Sequence, residues 1–194
     1  MKRLIVLVAL LLTACDGAGI TPPHDSDIDV ATPELVAIKA KTGIVDCPTG
    51  QTTDGGLPRK KLQCLGGGTE TDLSTLKGPL ILNFWSSACA YCIDEMPALE
   101  EFWEKYGDRV PILGVDTNDT YPGVALKQAH ERGVTYPLVA DPGGDLQQTD
   151  LRIIGQPTFF FLSADGKLSD GVPGGLKSLD EVVAMVDEHL GLDL

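Results

Sequence analysis

Basic charge is scarce in this chain of 194 residues: 15 Lys and Arg stand against 28 Asp and Glu, a formal net charge of −13. A surface of that sign repels a phosphate backbone, so nucleic-acid binding is excluded as the working function. Long hydrophobic runs are missing too. The longest apolar stretch, residues 4–12, is about half of the ~20 residues a membrane-spanning helix needs, so no spanning helix of ordinary length is expected. Histidine is rare, with three residues, and no second Cys-x-x-Cys accompanies the one present. A tetrahedral zinc site wants four ligands at close spacing, so no metal is assigned. No internal repeat is apparent. The hydrophobic fraction of 43% and the charged fraction of 22% are those of an ordinary folded domain with appendages.

The chain opens on Lys2 and Arg3, then the apolar run 4–12, then the small residues Thr13 and Ala14 before Cys15. That order reads as an export signal. Leu12-Thr13-Ala14-Cys15 resembles the bacterial lipobox, which makes Cys15 the lipidated first residue of the mature chain; ordinary cleavage near Ala14 with a free Cys15 is the alternative. The expected organisation is a signal peptide over 1–14 and a lipid-anchored flexible linker over 15–33, carrying Pro22, Pro23 and a solvated His24. An irregular N-terminal extension over 34–68, with room for a short helix or strand, and a main domain over 69–194 complete it. The protein is then exported and held at the cell membrane, facing the periplasm or the extracellular space.

Five cysteines less one lipidated residue leave Cys47, Cys64, Cys89 and Cys92, an even set for an oxidising compartment. Cys47 and Cys64 enclose a Gly- and Pro-rich loop, where closure is worth about 3 kcal/mol. A structural disulfide is the favoured reading there, a second redox pair the other.

From residue 79 the pattern alternates. The apolar run 79–85 reads as a buried central strand. Residues 93–106 read as a helix in which Pro97 should introduce a kink. Residues 110–116 form the next strand, 123–132 the next helix with Gly133 as its stop, and 137–140 a short strand. Residues 158–162 are strongly strand-like, and Asp165-Gly166 is a hairpin-turn pair. Residues 178–190 close the chain as an amphipathic helix with Ser178 and Glu181 spaced as a capping box, and His189 in its last turn complements the dipole. This βαβα pattern ending in a hairpin and helix argues an α/β sandwich around a mixed sheet.

The segment Trp85-Ser86-Ser87-Ala88-Cys89-Ala90-Tyr91-Cys92 puts a Cys-x-x-Cys between a central strand and the first turn of a helix. Unpaired N–H groups at a helix start favour a thiolate, so the Cys89 thiol should fall below the free value of about 8.5 and attack, while Cys92 resolves the mixed disulfide. Glu95, three residues after Cys92, can share its helical face and exchange a proton with it; Asp94 is placed less well.

The run Asn83-Phe84-Trp85 to Cys92, with Glu95, Pro97 and Gly155-Gln156-Pro157-Thr158, resembles the thioredoxin superfamily, and within it the membrane-tethered TlpA/ResA-like thiol–disulfide oxidoreductases. The resemblance implies a thioredoxin-like three-layer sandwich and a cis Pro157 facing the two cysteines. It also implies backbone pairing of substrate beside Gln156, and supports Glu95 as the proton acceptor. Trp85, Tyr91 and Gln156 are the expected substrate-binding set. No cofactor is implied beyond the redox-active Cys89–Cys92 disulfide. The implied partners are cysteine-containing exported proteins, including apocytochromes during haem attachment, and a membrane electron-transfer partner; a monomer is expected. Departures from thioredoxin are Asn83 for its buried aspartate, Ala88 for the tryptophan before the first cysteine, and Ala90-Tyr91 for Gly-Pro. Peroxide reduction, which peroxiredoxins perform on the same fold, and a redox-inert or copper-binding lipoprotein are the rival readings.

Overall fold

The structure, a computed structural model, describes residues 27–52 and 54–194. The signal segment 1–14, Cys15 and His24 lie outside the described residues.

A mixed seven-stranded sheet runs in the order β2-β1-β5-β4-β3-β6-β7. Its strands are β1 (Lys61–Cys64), β2 (Thr71–Asp72), β3 (Leu80–Trp85), β4 (Ile112–Thr117), β5 (Leu138–Asp141), β6 (Thr158–Leu162) and β7 (Val172–Pro173). The helices are α1 (Pro33–Lys39), α2 (Ala90–Tyr106), α3 (Pro122–Glu131) and α4 (Leu179–Leu190). β3, β4 and β5 are parallel, joined through α2 and α3, while β1, β2, β6 and β7 pair antiparallel. Parallel strands covered on both faces need apolar side chains on both, and all six residues of β3 and all six of β4 are buried.

The period-2 alternation of β3 divides the core. Ile81 and Trp85 enter one cluster with Met96, Leu99 and Phe102 of α2, Ala125 and Leu126 of α3, and Val182 and Val186 of α4. Leu80, Leu82 and Phe84 enter another, on the opposite face, with Leu57, Leu62, Leu73, Leu76 and Leu146. The four α-helices thus contribute to the first face, and the second is covered by two 3₁₀ turns, Leu73–Thr75 and Asp145–Gln148, with loops between them.

Two differences from the sequence reading, at the start of α2 and at the cap of α4, have local causes. α2 begins at Ala90 rather than 93, because its first turn is opened by a cap and not by apolar periodicity. It runs over 17 residues with Pro97 inside it. The 34–68 segment, expected to be irregular with room for a short helix or strand, supplies α1, capped by Thr32 with Pro33 at its first position, and β1, which joins the sheet beside β5. In α4 Ser178 caps the start and accepts from the Glu181 N–H, but Glu181 returns its carboxylate to Lys177 N–H rather than to the cap residue. His189 sits in the last turn, with its ring stacked on Phe161 at 4.9 Å.

This topology positions the site. β3 and β4 end at one edge, and antiparallel β6 starts there, with Thr158 paired to Phe84. The segments that follow Trp85 and Thr117, and the one that precedes Thr158, therefore converge.

Candidate functional site

Cys89 is the cap residue of α2: its backbone is extended, and its Sγ accepts the N–H of Cys92 at 3.2 Å. Cys89 and Cys92 are joined as a disulfide. The pair is asymmetric, since Cys92 is 1% exposed whereas Cys89 is half-buried. In the reduced form the same helix start faces Cys89 with its unpaired N–H groups, an environment that favours its thiolate.

Glu95 lies one turn deeper on α2 and is also 1% exposed. Its Oε1 accepts from Asn83 Nδ2 at 3.2 Å and its Oε2 from Gly175 N–H at 2.8 Å. Burial raises its carboxyl to about 7, against the pull of the Gly175, Asn83 and Leu176 donors. Asn83, where thioredoxin carries an acid, is thus an amide that positions the acid on the helix.

Two glycines make room for this. A Cβ on Gly174 would stand 2.7 Å from Glu95 Oε2, Phe159 Cε2 and Pro157 Cγ. Gly175 has φ +108°, a conformation that turns its N–H onto Glu95 and that side chains disfavour.

The Gln156–Pro157 bond is cis, and a groove of about 350 Å³ runs along Arg152, Ile154, Gly155, Pro157 and Pro173. Gln156 turns inward: its Nε2 donates to the carbonyls of Trp85 and Thr117, at 3.2 and 2.9 Å, and its Oε1 accepts from Ser86 Oγ at 2.8 Å. Its amide ties together the ends of β3 and β4, leaving only its backbone for a partner. Trp85 is fully buried in the core, which corrects the expectation that it faces a substrate. Tyr91, 70% exposed, and Ile154, 97% exposed, are the large apolar side chains presented to solvent in the two segments that meet here.

A second carboxyl group was not legible in the sequence. Asp119, nearly buried, accepts from the N–H of Ser87 at 2.6 Å and of Tyr121 at 2.8 Å, and so fixes the loop two residues before Cys89. Asp116 lies behind it on β4, register partner of Trp85. Burial, with Asp119 and Asp141 close by, pushes the Asp116 carboxyl well above the usual range. The only hint in sequence is acids at 116 and 119 just past an apolar strand. Asp116 Oδ1, Trp85 Nε1 and Tyr136 OH are buried without a hydrogen-bond partner among the described residues.

Cys47 and Cys64 form a second disulfide, on the β1 side of the sheet. No helix among the described residues is long and apolar enough to cross a membrane.

Known proteins resemble this chain in sequence and fold. Residues 56–170 match the model of the AhpC/TSA family. The thiol–disulfide oxidoreductase ResA of Bacillus cereus strain ZK is 31% identical over 177 residues, covering 89% of each chain. ResA of Bacillus thuringiensis subsp. konkukian is 32% identical over 110 residues, which is 55% of this chain and 62% of that protein. The match thus spans somewhat under two thirds of several curated relatives. Among solved structures, an exposed lipoprotein thioredoxin of Streptococcus pneumoniae superposes with a TM-score of 0.53 at 26% identity, covering 66% of this chain and 98% of that one. A Cys-x-x-Cys pair on the cap of α2, a buried glutamate one turn on and a cis-proline loop opposite sit on this fold, and the chain belongs to the AhpC/TSA family, with similarity to the ResA thiol–disulfide oxidoreductases.

Proposed function

We propose that the protein exchanges thiols and disulfides with cysteine-containing exported proteins through Cys89 and Cys92. The observation that carries this reading is the asymmetry of the pair: a half-buried sulfur on a helix cap, and a buried one a turn deeper. In the reducing direction the Cys89 thiolate attacks one sulfur of a substrate disulfide and expels the other as a thiolate, which takes its proton from solvent. Cys92 then gives its proton to the Glu95 carboxylate and attacks Cys89, releasing the reduced substrate and leaving the Cys89–Cys92 disulfide. A carboxyl near 7 can take that proton at neutral pH and return it in the reverse, oxidising direction.

Substrate backbone would lie beside the cis Pro157, with Tyr91 at the rim. Selectivity would be modest, because main-chain pairing supplies the contact. A membrane-held dithiol partner would reset the pair, and apocytochrome cysteines before haem attachment are the substrate class that the ResA likeness suggests. Cys15 would anchor the mature monomer by lipid after loss of residues 1–14, with the linker 15–33 spacing it from the membrane and the 34–68 extension leading into the 69–194 domain. Cys47–Cys64 would cross-link the segment ahead of β1.

Cys92→Ala should convert transient exchange into trapping: a peptide disulfide incubated with the reduced variant is expected to remain joined to Cys89, seen by mass. Release of the peptide at the wild-type rate would overturn the resolving role. Stoichiometric retention of Cu(I) by the wild type with no exchange would favour the binding-module reading instead.

A further inference from the structure

The Cys47–Cys64 disulfide is set among groups that suit its reduced form. The Lys39 ammonium, on α1, lies 3.1 Å from Cys64 Sγ and 2.8 Å from the Gly67 carbonyl. A disulfide sulfur carries no charge to offer that ammonium. A thiolate at the same place would be a charge-assisted partner. Cys47 Sγ lies 3.1 Å from the Leu138 carbonyl oxygen, which already accepts Leu65 N–H at 2.8 Å. While oxidised, Cys47 has no proton to give that oxygen; as a thiol it would have one. Each sulfur thus meets the partner that its reduced state requires, a cation for one and an acceptor for the other.

We propose that Cys47–Cys64 is a second thiol–disulfide couple of this protein, opened reversibly by thiols of the glutathione class, with Lys39 selecting Cys64 as the departing thiolate. The incoming thiolate attacks Cys47, the less deeply buried residue of the two at 5% exposure against 1% for Cys64. The S–S bond breaks toward Cys64, whose electron pair comes to rest as a thiolate against Lys39. A second thiol then attacks the external sulfur of the mixed disulfide and frees Cys47 as a thiol facing Leu138. In balance, one disulfide and two thiols give one Cys47 thiol, one Cys64 thiolate, one external disulfide and one proton. A lower leaving-group pKa speeds departure, so the cation beside Cys64 fixes which bond polarity is productive.

The charges facing the pair are few. Lys39 is largely buried, and its desolvation draws its pKa down while Asp46, 3.7 Å away, opposes that shift. Asp46 is 58% exposed and is held by the N–H groups of Cys47 and Thr69 and the Thr69 hydroxyl, so solvent and these donors screen its repulsion of a thiolate. Opening the bond touches neither Cys89 nor Cys92, separating this couple from the one at the helix cap.

The test is a glutathione redox titration of the full chain, quenched by alkylation and read by peptide mapping so that the two pairs are scored separately. Wild type, Lys39→Met and Lys39→Arg are compared, and circular dichroism follows the fold at each point. The expected result is reversible opening of Cys47–Cys64 in the folded protein. Lys39→Met should shift the midpoint about tenfold toward more reducing buffer and raise the pH midpoint of Cys64 alkylation by about one unit, with Lys39→Arg near wild type. Opening only together with loss of the fold would overturn the proposal, as would a midpoint and pH profile unmoved by Lys39→Met.

Discussion

The two disulfides among the described residues differ in almost everything that governs sulfur chemistry. Cys89–Cys92 spans three residues at the start of a helix, with one sulfur open to a partner, a carboxyl one turn on and a cis-proline loop opposite. Cys47–Cys64 spans seventeen residues across a loop and a strand, with both cysteines buried and with Lys39 and the more exposed Asp46 as close charged neighbours. One pair has a docking surface, a proton acceptor and a helix dipole; the other has a cross-linking geometry and a counter-charge. A disulfide is therefore not assigned a role by its presence, but by what can reach it and what receives the proton.

That contrast can be broken by removing the feature unique to one side. Glu95→Gln keeps the volume and the Gly175 and Asn83 neighbours but cannot accept a proton, and exchange at Cys92 should slow by about 10² at pH 7. The same substitution has a stability signature of known sign. The Glu95 carboxyl stands near 7 in the fold, above its ordinary 4.5, so the folded state binds the proton more tightly than the unfolded one. Its contribution is fully present below about 4.5 and is lost as pH rises through about 7, up to about 3 kcal/mol. Chemical denaturation from pH 4 to 8 should show that loss in wild type and a flatter curve in Glu95→Gln; identical curves would remove Glu95 as the buried acid.

The other side is tested by replacing Cys47 and Cys64 together with Ala. Loss of the cross-link should cost about 3 kcal/mol, a fall in Tm of about 6–12 °C, with exchange at Cys89–Cys92 unchanged. A loss of exchange without loss of stability would merge the two regions that the comparison separates. A smaller effect sharpens the first side: Gly174→Ala puts a Cβ against Glu95, Phe159 and Pro157 and should cost about 1–3 kcal/mol, measured by urea unfolding.

How much of this was legible in the sequence follows from the physics of each element. β6, Thr158–Leu162, was readable to the residue, because three phenylalanines in a five-residue run leave no other reading. The middle of α2 was readable from its apolar spacing, but its first turn was not, since Ala90 and Tyr91 are exposed and the cap is a cysteine. β1 escaped because Lys61-Leu62-Gln63-Cys64 is a four-residue strand whose partner, β5, lies some seventy-five residues on. At the site, the cysteines, Glu95 and Pro157 carry their chemistry in their spacing and in a family likeness. Trp85 carried a misleading signal: an aromatic beside the motif, it points into the core at 0% exposure. Asp116 and Asp119 carried almost none, because the hydrogen bond from Ser87 to Asp119 crosses thirty-two residues and exists only once β3 and β4 end side by side.

The most direct test of the central claim is the redox equilibrium of Cys89–Cys92 in the full chain against glutathione, scored by alkylation with Cys89→Ala as the control. A reversible transition that vanishes in Cys89→Ala is the predicted result. A pair that neither opens nor re-forms while the protein stays folded would contradict it.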